Sequence, residues 1–128
     1  MSNKLRILAA VPGVPMLFNG LGFVATPDVA AESLGMQMLT GIGLSTQIGD
    51  MISFFLGIAA MIFLGAYKCQ RQWLYAAAMF LGLAALGRVI ASAVHGADLA
   101  VQLIGAEVIL TVWLALVGFY MSKDSGKN

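Results

Sequence analysis

The chain has 128 residues, 60% of them hydrophobic and only 10% charged, with a mean hydropathy of +0.91. Soluble domains carry roughly a quarter charged residues, so this is membrane-protein composition, and the length suits one unit over residues 1–128. A net charge of +1 without basic clusters excludes nucleic acid as a partner, the single Cys69 excludes an internal disulfide or CxxC pair, and the single His95 excludes a bis-histidine haem.

A membrane-spanning helix needs ~20 mostly apolar residues, and four windows meet that requirement. The first covers 7–26, ILAAVPGVPMLFNGLGFVAT, and is closed by Pro27-Asp28. Pro12 and Pro15 flank Gly13 there. Proline removes a backbone donor, frees a carbonyl and kinks the helix, and a packing kink is a plainer reading than a functional hinge. The apolar run exceeds a signal-peptide core and lacks an A-x-A site, so the segment is expected to be retained.

Residues 30–44 are too apolar for a plain loop and read as an interfacial helix or an extension of the second span. Met36, Met38 and Met51 lie in or near this stretch. Thioethers bind copper(I), but without a nearby histidine or cysteine these are packing residues, and no metal site is expected. The second span is read at 46–67, the third at 73–94 and the fourth at 99–121. Cys69, in the turn KCQRQ, reads as an ordinary thiol. Alanines and glycines crowd the last two spans and permit close helix approach, within one chain or between copies.

Lys4, Arg6, Lys68, Arg71, Lys123 and Lys127 all fall on one side of a four-span arrangement, whereas the opposite loops carry Asp28, Glu32 and Asp98. The positive-inside rule then puts both termini in the cytoplasm. The fold expected is an all-α, antiparallel four-helix bundle in a bacterial inner membrane, crossing it several times.

One basic residue breaks the pattern. Arg88 stands inside WLYAAAMFLGLAALGRVIASAV, ~10 Å from the outer end of span three. Glu107 lies ~12 Å deep in span four, Asp50 ~6 Å in span two and Asn19 ~10 Å in span one. Ser92 and His95 share the face of Arg88, and Thr111 shares that of Glu107. An arginine at the centre of a span costs roughly 2.5–3.5 kcal/mol on insertion scales, so an acidic partner is expected. Glu107 is the first candidate and Asp50 the second. The seven residues are read together as a buried polar, ligand-binding layer facing the periplasm, with a purely architectural ion pair as the alternative.

No GxSxG, HExxH, P-loop or dinucleotide fingerprint is present, and no catalytic residue is assigned. The run VATP, the GD of IGDMISFF, LGLAALGR, HG and AEVILTVWLAL together resemble a family of small bacterial four-span inner-membrane proteins of unknown function, related to the DoxX-like superfamily. The resemblance runs from about Arg6 to Met121. Its most specific positions are Arg88, His95-Gly96 and Glu107, with Asp50 in span two. It implies four antiparallel helices and a membrane location. The wider superfamily includes subunits of quinone-linked oxidoreductases and assembly helpers.

The function expected is that of an accessory protein binding a quinone or lipid, with no other cofactor and the bilayer as its first partner. Two alternatives stand beside it: a proton-coupled transporter or oligomeric pore using Asp50, Glu107 and His95, and a membrane subunit of a redox enzyme within a larger complex.

Overall fold

A computed structural model describes residues 2–125, with side chains as far as Ser122. Lys127 and the side chain of Lys123, counted above toward the basic side, lie outside the described residues. The described residues form helices, turns and coil, with no strand among them. The helices are α1 (Asn3–Ala10), α2 (Gly13–Ala25), α3 (Pro27–Ser33), α4 (Gly41–Lys68), α5 (Arg71–His95) and α6 (Val101–Ser125). Four units, Asn3–Ala25, Gly41–Lys68, Arg71–His95 and Val101–Ser122, are long and apolar enough to cross a membrane, which marks the chain as a multi-pass membrane protein.

The proline pair divides the first unit as its chemistry requires. Pro15 offers no N–H to Val11, whose carbonyl instead accepts from the Val14 amide at 3.1 Å in a tighter turn. Pro12 likewise offers none to Leu8. That carbonyl is met from outside its own helix, by the indole Nε1 of Trp113 on α6, at 2.7 Å. A buried proline thus ties α1 to α6 through the acceptor it frees.

The segment read as an interfacial helix is only partly helical. Pro27 starts α3 at a position where its missing donor costs nothing. Coil follows from Met36 to Thr40, and α4 begins at Gly41 rather than near residue 46.

α6 packs chiefly on α5 and α2 chiefly on α4, while α4 against α5 joins the two pairs. Phe23, Ile58, Ile62, Leu74, Leu81, Leu114 and Met121 fill the interior. Phe23 stacks on Phe55 with ring centroids 5.9 Å apart. Gly20 permits the closest approach: a Cβ there would come within 2.7 Å of Leu56 Cγ and 3.2 Å of the Leu56 backbone nitrogen. The outside is apolar too, with Phe18, Ile42, Val94 and Ile109 exposed, as hydrocarbon contact demands and water would penalise.

Candidate functional site

Two ends can be told apart by what meets there. At one, the α4–α5 turn Cys69–Gln72 lies against Met121 and Ser122, and Arg71 Nη1 donates to Ser122 Oγ. At the other, here called the distal end, residues 33–35 of the α3 terminus face residues 98–103, where α6 begins. Between them opens a cleft of about 740 Å³, lined by Ser33, Leu34, Gly35, Arg88 and the segment Asp98–Leu103.

Arg88 sits on α5 and Glu107 on α6, and they pair. Arg88 Nε donates to Glu107 Oε1 at 2.5 Å, a charge-assisted bond. The burial of the partners differs: the Glu107 side chain is 10% exposed, that of Arg88 33%. Arg88 uses only its Nε edge for this bond. Its Nη1 and Nη2 make no hydrogen bond among the described residues, and Arg88 is a wall of the cleft. A guanidinium carries most of its donors on those two nitrogens. The carboxylate thus engages the guanidinium at Nε and leaves the Nη donors without a protein partner among the described residues. Glu107 Oε2 is buried without a partner among the described residues, a condition that costs roughly 1–3 kcal/mol for an ordinary polar group.

The other residues read as one polar layer do not all join this pair. Thr111 does, at the level of the helix: its Oγ1 donates to the Glu107 carbonyl at 2.7 Å. Asn19 turns back on its own helix, its Nδ2 donating to the Pro15 carbonyl at 2.9 Å. A local acceptor one turn away outcompetes a distant one, because reaching it orders nothing else. Asp50 is exposed and lines a different groove of about 590 Å³, with Ser53, Phe54, Gly57, Ile58, Met61 and Phe80. It makes no ion pair with Arg88 among the described residues. Ser92 is half-buried on α5, and His95 is exposed at the end of that helix, where Gly96 (φ 72°) supplies the left-handed cap. Neither lines the cleft. Equal depth therefore located the Arg88–Glu107 contact but not its neighbours, since depth says nothing about azimuth around the bundle.

Two side chains that hold main-chain groups were not singled out by the sequence pattern. Gln47 is buried on α4, where its Oε1 accepts from the Leu39 amide at 3.0 Å and its Nε2 donates to the Gln37 carbonyl at 2.9 Å. These bonds satisfy one amide and one carbonyl of the non-helical 36–40 segment, which follows the α3 terminus at the cleft. A lone glutamine at the head of an apolar run was the available signal. Trp113, the donor to Leu8, was the other; its partner is a main-chain carbonyl, which leaves no mark in the side-chain pattern.

Among the described residues, no group of three His, Cys, Asp or Glu side chains is placed to hold a metal ion. The chain matches no protein-family model, no curated protein and no solved structure.

Proposed function

We propose that this is a small accessory protein of a bacterial inner membrane that holds an amphiphile by its polar head at the distal cleft. Its spans run antiparallel with both termini in the cytoplasm, so the cleft opens toward the periplasm. The side bias of Lys4, Arg6, Lys68 and Arg71 supports the orientation, and the pairing of partners along α5 and α6 supports the antiparallel course. Tyr75 lies against Gly118, Gly82 against Thr111 and Arg88 against Glu107, so that rising numbers on α5 meet falling numbers on α6.

The observation that carries the function is the unspent donor edge of Arg88. A guanidinium near hydrocarbon with only Nε satisfied favours any entering acceptor, a phosphate oxygen or a quinone carbonyl alike. The apolar helix faces beside it suit a tail. The DoxX-like resemblance, resting on Arg88, His95-Gly96, Glu107 and Asp50, supports an accessory role of this kind and belongs to the same proposal. Mass spectrometry of lipid extracts from the purified full-length chain tests the reading. An enriched amphiphile in the native protein, depleted in Arg88→Gln, is expected; identical extracts would overturn it.

The orphaned Glu107 Oε2 favours a second reading, in which the carboxyl exchanges protons in an oligomeric pore or transporter. Proton flux into liposomes containing the native chain, abolished by Glu107→Gln, would support this reading; equal flux in empty liposomes would remove it.

A further inference from the structure

We infer that the head held at the distal cleft is zwitterionic, a phosphate joined by a short arm to an ammonium group, as in an aminophospholipid. This rests on the amphiphile reading above and adds the class of head. Charge decides among the candidates. Arg88 is the one basic residue in the cleft wall, and Glu107 behind it offsets its charge. Asp98, exposed at the start of the α6 approach, is the one acidic residue in the wall. The cleft with its backing carboxylate therefore sums to one negative charge, arranged as a donor edge at one place and a free carboxylate at another.

A head bearing only a phosphate would take the Nη donors of Arg88 and then meet Asp98 uncompensated. A cation alone would find Asp98 but face the guanidinium. A quinone would use the donors and leave Asp98 idle. A phosphate and an ammonium on one head engage both. The rim agrees: Leu34, Leu99, Val101 and Leu103 put apolar side chains beside these charges, and Leu99 and Val101 stand exposed where acyl chains would pass. The cleft's volume of about 740 Å³ lies within the range of small-molecule sites, ~300–1,000 Å³. Asp28 and Glu32, both exposed on α3, add to a negative field that draws an ammonium group and repels an anionic head.

Native mass spectrometry of the full-length chain in detergent, with short-chain phosphatidylethanolamine and phosphatidylglycerol at equal concentration, tests the assignment. The native chain is expected to retain the ethanolamine lipid about two- to five-fold better, the size of one exposed charge pair. Asp98→Asn should reduce that preference, and Arg88→Gln should lower retention of both lipids. Equal or better retention of phosphatidylglycerol, or a preference untouched by Asp98→Asn, would overturn the zwitterionic head while leaving an amphiphile bound. Equal retention of both lipids by Arg88→Gln and the native chain would instead overturn the amphiphile reading. Asp98 lies in an exposed turn, so its substitution is tolerated by the fold even if Arg88→Gln is not.

Discussion

Removing the indole donor of Trp113 should cost stability only because Pro12 is present. In the native chain Pro12 withholds the N–H that an unbroken helix would offer to Leu8, and Trp113 Nε1 takes its place at 2.7 Å. Trp113→Phe keeps an aromatic ring and deletes that donor. Hydrogen bonds between membrane helices are worth about 0.6 kcal/mol on average and up to ~1.7 kcal/mol, so the bond's share should fall in that range, with lost ring contact added. Pro12→Ala restores a backbone donor for the same carbonyl. In that background Trp113→Phe should cost only its packing share. The coupling between the two substitutions is expected at about 1 kcal/mol, roughly a five-fold change in the unfolding equilibrium. Circular dichroism during titration of mixed micelles with sodium dodecyl sulfate reads all four proteins. Additivity within about 0.3 kcal/mol would refute the claim that Trp113 serves the acceptor freed by Pro12.

Other expectations follow from single contacts. Gln47→Leu removes both bonds to the 36–40 segment, so hydrogen exchange at the Leu39 amide should accelerate by about five-fold or more, given ~1–3 kcal/mol for such a loss, while amides in mid-α5 stay unchanged. Gly20→Ala drives a methyl group against Leu56 and should destabilise by roughly 1–3 kcal/mol. Gly57→Ala meets open space and should be neutral or stabilising by up to ~1 kcal/mol from helix propensity; the same titration ranks them, and a reversed order would contradict the packing of α2 on α4. Cys69, half-buried in the α4–α5 turn, should react with a membrane-impermeant maleimide in inside-out vesicles and stay unlabelled in intact spheroplasts. Labelling of spheroplasts would reverse the proposed orientation.

The parts of this molecule readable from sequence are those governed by length and by charge. Four apolar runs had to be helices, because hydrocarbon leaves backbone groups no other partners. Arg88 had to find a carboxylate, and Glu107 was the one at matching depth. What could not be read depends on rotation about the helix axis and on backbone acceptors. Asn19 looked like a member of the polar layer by depth, yet a carbonyl one turn back on its own helix claims its amide. Asp50 was read into the same layer as Arg88 but lines the groove containing Phe54 and Phe80. Gln47 and Trp113 bind main-chain groups, and main-chain groups are invisible in a pattern of side chains. The early start of α4 was hidden for a different reason: residues 41–45, GIGLS, include two glycines and a serine, weak helix formers that give little sign of a helix.

The account turns on the Nη edge of Arg88 meeting the head of an amphiphile. With Arg6 and Arg71 replaced by lysine, Arg88 becomes the sole arginine, and 15N-labelled arginine reports on it alone. Solid-state NMR of this protein in phosphatidylethanolamine bilayers can measure how strongly lipid phosphorus dephases each guanidinium nitrogen. Strong dephasing of Nη1 or Nη2, weaker at the Glu107-bonded Nε, is the expected result; nitrogens that feel no phosphorus at all would contradict the proposed site.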